Sequence, residues 1–348
     1  MRPAGVERGS APGGARRRSP PLAAVYLGLG ALALGACLLS LGIGHGDLGD
    51  PSLRAVFLRL RAARMAGAFL AGSALAVAGV LVQGLFRNPL ASPSVIGTSA
   101  GASLGGRIAL LGMQWWLLGG RVPWLSPDLL LPLGCVLGAL GALGLLFLVA
   151  EVRDDIVVLL LTGFLLSALF VSLEGFLTSL AQERWELSRA VLSFALGDVS
   201  GVGPRQLALA LPLVGFGIGL AWTWSAPLDL MLSGEEEASS LGADVQVVRR
   251  WVVIWTSILT AAAVAIGGNV GFVGLIVPHA LRRFVGLSHA RLIPAAALGG
   301  GAFVVACDVL SRVLPGRSEV PLGVITGIVG APTFLWLLLK HRRESYSF

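Results

Sequence analysis

The chain has 348 residues, 55% of them hydrophobic and 13% charged, with 48 glycines and a formal net charge of +7. A soluble domain cannot hide that much apolar surface, so the composition excludes a soluble enzyme or binding module and points to an all-α polytopic membrane protein. The positive charge is not a nucleic-acid footprint, because the arginines flank apolar runs instead of forming one basic face.

Residues 1–21 are rich in Arg, Pro, Gly and Ser and read as a disordered tail, with Arg16, Arg17 and Arg18 holding it on the cytoplasmic side. Leu22 to Gly42 is long for a signal-peptide core and reads as an uncleaved first span. A polar link with Arg54, Arg59, Arg61 and Arg64 leads to a second span, about Met65 to Phe86. Prolines between Arg87 and Gly101 break the chain before a third span that runs to about Gly112. The fourth span is about Leu129 to Ala150, and a short charged turn follows at Glu151 to Asp155. The fifth, about Ile156 to Leu180, contains Glu174. The apolar piece Val191 to Gly197 is too short to cross a bilayer and reads as a half-helix. A sixth span, about Gln206 to Trp224, precedes the polar stretch Ser225 to Arg250. Four more follow: Trp251 to Gly268, about Phe272 to Leu287, Leu292 to Leu310, and Val320 to Lys340. About ten transmembrane helices put both termini on one face, and the basic ends place that face in the cytoplasm.

The stretch Ser225 to Arg250 carries Glu235, Glu236, Glu237, Asp244, Arg249 and Arg250, so it cannot lie in hydrocarbon. Ser233 suits a helix start, the glutamates suit the positive N-terminal end of a helix, and Gly242 suits its end. One or two short helices outside the membrane are expected, with Ala238 and Gly242 on one side and Leu241 beside them. Small side chains there let another surface approach closely, and a soluble partner is expected to push on the membrane protein at this point.

Chemistry-bearing residues are sparse. Lys340 is the lone lysine, which excludes a Walker A motif, so any ATP hydrolysis belongs to another chain. No metal-ligand spacing and no nucleophile–base arrangement is present; His279 reads as structural, and the three cysteines as small core residues. Glu174 and Asp308 are ionisable groups in or near spans, which raises a functional question. Asp308 lies four residues before Arg312 on one helix face, and a structural ion pair is the expected reading.

Four blocks carry a resemblance. They are RxxRMxxxxLAGSALAVAGVLVQGLFRNPLASPSVIGTSAGA (Arg61 to Ala102), Gly234-x-x-x-Ala238-x-x-Leu241-Gly242, GFVGLIVPHALRR (Gly271 to Arg283) and EVPLGVITGIVGAPTFLWLLLK (Glu319 to Lys340). Together they resemble the FecCD-type permeases, the membrane subunits of bacterial ABC importers for iron–siderophore complexes, haem and vitamin B12. The family usually has Leu-Pro between the two arginines of the first block, where this chain has Ala62 and Ala63, and the local turn is the feature put in question.

The resemblance implies an ABC importer type II permease fold over residues 22–342, with the coupling loop at 225–250 and a cytoplasmic C-terminal tail at 343–348. It implies a subunit that is not an enzyme and binds no cofactor, with ATP and Mg used by two cytoplasmic ABC ATPases. The other implied partners are a second permease copy, an extracytoplasmic binding protein and membrane lipid, in a bacterial inner membrane. Gly234, Ala238, Leu241 and Gly242 would couple to the ATPase. Arg61, Arg64 and Arg312 would dock the binding protein, and Glu151, Arg153, Asp154 and Asp155 are candidates for an inner gate. A ferric siderophore is the leading cargo, with cobalamin or haem as alternatives. A secondary transporter is the reading from another class, with Glu174 and Asp308 its candidate ion sites.

Overall fold

The computed structural model describes residues 21–44, 50–119, 127–150, 156–314 and 319–345, and among these all regular secondary structure is helical. The helices are α1 (Leu22–Gly42), α2 (Pro51–Leu85), α3 (Thr98–Gly119), α4 (Pro127–Ala150), α5 (Ile156–Ala181), α6 (Trp185–Leu196), α7 (Pro204–Thr223), α8 (Ser225–Met231), α9 (Glu235–Ser240), α10 (Val245–Gly267), α11 (Val273–Val285), α12 (His289–Val313) and α13 (Leu322–Ser345). A 3-10 turn, Pro93–Ile96, lies between α2 and α3. Seven of the described helices have the length and apolarity to cross a bilayer. The ten expected spans correspond to α1 to α5, α7 and α10 to α13, with α6 as the expected half-helix and α8 and α9 as the short helices outside the spans.

Burial separates core from periphery. In their most apolar windows α2 is 83% buried and α10 and α12 are each 67% buried, against 11% for α1 and 22% for α7. The packing of α11 and α12 on α2 depends on small residues. A methyl group on Gly79 of α2 would lie 1.8 Å from the carbonyl oxygen of Gly274 in α11, and one on Gly72 would lie 2.2 Å from that of Gly300 in α12. Such backbone contact replaces the hydrophobic driving force that lipid cannot supply between helices.

Several boundaries differ from the sequence expectation. The expected polar link before the second span is helical. Asp50 accepts a hydrogen bond from Ser52 N at 2.9 Å, Pro51 occupies the first turn, and α2 then runs for 35 residues. At about 1.5 Å per residue it is roughly 52 Å long, so its first turns extend past a hydrocarbon core of about 30 Å. Ala62 and Ala63 allow this, since neither breaks a helix as a proline would. The seventh span likewise starts early, at Val245, capped by Asp244 on Val247 N at 3.1 Å. The eighth is only 13 residues, because Phe272 takes φ +67 and the chain does not settle into α11 before Val273.

That interruption belongs to a three-way junction. Asp198 N donates to Gly267 O (2.9 Å), Asn269 N to Phe194 O (3.2 Å) and Leu322 N to Gly197 O (2.9 Å), which joins the end of α6, the α10–α11 break and the start of α13. Gly197 and Gly268 have φ of +81 and +65, and a methyl on Gly268 would meet Phe194 O at 2.3 Å. These bonds satisfy backbone groups that the interrupted helices leave free.

Candidate functional site

The two ends of the bundle carry the polar chemistry. One end holds α8 and α9, and the other is where α1 meets α2.

At the α8–α9 end, α9 begins after Gly234 at φ +129 and is followed by Gly242 at φ +91. Ala238 is fully buried and belongs to the main hydrophobic core, whereas Leu241 is 66% exposed and Gly242 has open space around it. The expectation that Ala238 and Gly242 share one side is therefore corrected. The helix stops at Ser240, and the left-handed turn at Gly242 removes it from the four-residue register. The outward surface is instead Leu241 and Gly242, with Leu232 and Val247, each 41% exposed, nearby in the chain. Glu235 is held by Arg249 at 3.0 Å, while Glu236 and Glu237 are exposed.

The platform is fastened to α12. Asp229 of α8 accepts from His289 N at 2.8 Å and from Ser288 Oγ at 2.9 Å, and its Oδ1 lies 2.6 Å from His289 Nδ1. Burial pushes the Asp229 carboxyl up, but the hydrogen bonds from His289 and Ser288 outweigh it and hold the group below the ordinary carboxylate range. Trp222 Nε1 donates to Ala290 O at 2.9 Å and adds a second fastening. Trp224, Trp251 and Trp255 stack with 6.1 Å between successive rings, joining α7 to α10 at this end.

At the opposite end the three arginines expected to dock a partner are turned inward. Arg61 donates to the carbonyls of Leu41 (2.9 Å), Gly42 (3.1 Å) and Gly44 (2.8 Å), satisfying backbone acceptors at the end of α1. Arg64 bridges Asp308 (2.8 Å) and Glu319 (2.7 Å). Arg312 pairs with Asp308 at 2.9 Å, as its spacing predicts, and donates to Ser40 O (3.0 Å) and Ser40 Oγ (2.6 Å). The side chain of Arg312 is 2% exposed and that of Arg64 14%. Exposed positive charge on α2 comes from Arg54 and Arg59 instead. Arg64, Asp308 and Glu319 also line a cavity of about 610 Å³ together with Arg189 and Asp198.

Within the bundle, Glu174 of α5 pairs with Arg107 of α3 at 3.1 Å, and Arg107 also donates to Thr178 Oγ1 at 3.0 Å. Sequence reasoning passed over Arg107, although a charge inside a span was itself the signal. It also missed Asp229 with His289, and Glu319 as a partner of Arg64; pairing across such sequence distances leaves no local pattern. The gate candidates Glu151, Arg153, Asp154 and Asp155 lie outside the described residues.

A helical bundle with interrupted spans, a buried ion-pair framework and a short-helix platform at one end defines a multi-pass membrane protein. The comparisons with known proteins give its family: residues 23–340 match the FecCD transport family, and the chain belongs to it. It is similar to the hemin transport system permease protein HmuU of Yersinia pestis, 33% identical over 92% of this chain and 94% of that protein. It is 37% identical to the Fe(3+) dicitrate transport system permease protein FecD of Escherichia coli over 75% of this chain and 77% of that one. With the cobalamin import system permease protein BtuC of Halobacterium salinarum the identity is 36%, over 74% of this chain and 66% of that protein. A solved metal-chelate type ABC transporter in an inward-facing conformation matches with a TM-score of 0.80 and 30% identity, over 92% of this chain and all of that one. The chain is accordingly a permease subunit of an ABC importer.

Proposed function

We propose that this subunit, with a second permease copy, two cytoplasmic ATPases and an extracytoplasmic binding protein, imports a metal chelate across a bacterial inner membrane by alternating access. Both termini then lie in the cytoplasm, and ATP and Mg act on the ATPases. Among cargoes a ferric siderophore stands first, with cobalamin or haem as the alternatives, since the relatives are named for haem, ferric dicitrate and cobalamin. The observation that carries the reading is the α8–α9 platform. Its exposed Leu241 and Gly242 are free to enter an ATPase cleft, while Asp229 and His289 pass the motion to α12. Gly234 and Ala238 contribute by shaping the platform from within. A secondary transporter is disfavoured because its two candidate carboxylates are engaged, Glu174 by Arg107 and Asp308 by Arg64 and Arg312. For Arg61, Arg64 and Arg312 to dock a binding protein, their network must open, so Arg54 and Arg59 are the stronger first contacts for an acidic lobe.

The test is reconstitution. Proteoliposomes holding the subunit, the ATPase and the binding protein encoded beside it should accumulate chelate only with ATP. Titrating that binding protein with ferric siderophore, cobalamin and haem identifies the cargo. Uptake by the subunit alone would overturn the importer reading.

A further inference from the structure

The motif block that ends α11 has no place in the mechanism above, yet its Arg282 and Arg283 face a cavity of about 450 Å³ at the α8–α9 end. Arg87 lines it from the chain beyond α2, His289 from the start of α12, and Leu232 and Leu287 supply apolar wall. No carboxylate lines this space, and among the described residues none of the three arginines forms an ion pair. The opposite end differs, since each of its inward-turned arginines has a carboxylate or carbonyl partner.

Two further features argue against three unrelated interfacial charges. Arg87 N donates to Gly84 O and Asn88 N to Gln83 O, which makes Arg87 the left-handed residue of a helix-closing turn, at φ +49. Glycine is the usual occupant of that position, so a guanidinium is held beside the cavity in a backbone conformation that side chains rarely adopt. The C-terminal ends of α11 and of α2 answer part of the charge on Arg282, Arg283 and Arg87, but a helix end supplies no carboxylate. Glu237 stands close to Arg87 without forming an ion pair. The cavity therefore combines three guanidinium groups that form no ion pair among the described residues with exposed leucines at the edge of the bundle.

We propose that this cavity binds a phosphate group, with the headgroup of an anionic phospholipid as the form that also uses Leu232 and Leu287. Guanidinium forks suit phosphate oxygens, and the acyl chains continue along the apolar wall into the bilayer. The occupant would sit against His289, whose Nδ1 contacts Asp229 of α8, so its presence would stiffen the junction of α2, α8, α11 and α12. This needs only the membrane-spanning bundle and is independent of the cargo.

The experiment uses the purified full-length subunit, stripped of lipid in a neutral detergent. Its thermal unfolding is followed while phosphatidylglycerol, phosphatidylcholine or inorganic phosphate is added at constant ionic strength. Saturable stabilisation by phosphatidylglycerol over phosphatidylcholine is expected. If millimolar inorganic phosphate reproduces it, the free anion suffices; if it does not, the lipid is the ligand; either result supports the site. The triple variant Arg87→Gln, Arg282→Gln, Arg283→Gln should bind at least roughly tenfold more weakly, the loss of charge-assisted hydrogen bonds. Arg250→Gln, at an exposed arginine on the same end, should bind like wild type. Arg282→Lys with Arg283→Lys, which keeps charge but loses the fork, should fall between, and it serves if the triple variant does not fold. Absence of anion-specific stabilisation in wild type, or an undiminished effect in the triple or lysine variants, would overturn the proposal.

Discussion

At the end where α1 meets α2, Arg61, Arg64 and Arg312 are buried or nearly so, and each is engaged by Asp308, Glu319 or the carbonyls that close α1. At the α8–α9 end, Arg87, Arg282 and Arg283 face a cavity without a carboxylate, and Leu241 projects outward. Composition alone would rank both ends as basic. One end uses its charge to fix three helices to one another, while the other leaves arginines without ion-pair partners and apolar surface exposed. That asymmetry suits the importer proposed above, with a firm frame at one end and an accessible contact at the other.

The largest expected effect lies in the firm frame. Asp308 is shared by Arg64 and Arg312, and its own side chain is 1% exposed. Asp308→Ala should cost about 3–5 kcal/mol, because it leaves a buried guanidinium without its carboxylate. The measurement is thermal unfolding of the purified subunit. A shift no larger than that of an exposed-site variant would mean that the backbone carbonyls of Leu41 to Gly44 and Ser40 hold the arginines unaided, and the comparison between the ends would lose its energetic basis.

Next in size is overpacking of the platform. Ala238 is fully buried, so Ala238→Trp should destabilise the subunit by about 1–3 kcal/mol before any partner is involved. Leu241→Ser should leave unfolding unchanged and weaken ATPase co-purification instead. If Leu241→Ser lowers the melting temperature as much as Ala238→Trp does, the outward face is not free surface.

How far these ends could be read from sequence follows from the range of the interactions involved. The spans were legible because apolar runs of bilayer length are a local property, and the ion pair of Asp308 with Arg312 was legible because four residues separate them on one helix. The start of α2 at Pro51 was not. Arginines read as a link, and only the Asp50 cap together with Ala62 and Ala63 lets the helix continue. The inward turn of Arg61 and Arg64 depends on Glu319 and the end of α1, which nothing local announces. On α9 the small-residue pattern was visible, but its direction was not, since the positive φ at Gly242 changes the register within one residue.

A third prediction concerns the link between the platform and α12. Asp229 is held below its ordinary range, so its contribution should be present above the unfolded carboxyl value, near 4, and be lost as pH falls through the lower folded value. Unfolding of wild type and Asp229→Asn should therefore differ by a constant amount down to about pH 5, and the gap should begin to close near pH 4 and vanish only below the lower folded value. A gap that changes between pH 6 and 8 would assign the dependence to another group. In proteoliposomes the same variant should hydrolyse ATP while importing less chelate per ATP, because the fastening between α8 and α12 is weakened.

The smallest effect separates the two acidic positions of α9. Glu236 is exposed and Glu235 lies 3.0 Å from Arg249, with 33% of its side chain exposed. Exposed pairs contribute about 0.2–1 kcal/mol, so Glu235→Gln should cost at most that much in stability and Glu236→Gln nearly nothing. Both charges also sit at the positive end of α9, but a helix of six residues has a small dipole, and water screens it. If the platform meets the ATPase through Leu241 and Gly242, as proposed above, then Glu236→Gln should leave ATPase affinity and its salt dependence unchanged. A roughly tenfold loss of affinity, about 1.4 kcal/mol, would be more than an exposed charge can account for unless it meets an opposite charge on the partner. In that case the acidic first turn would be the contact, and the apolar turn at Leu241 would have to face elsewhere.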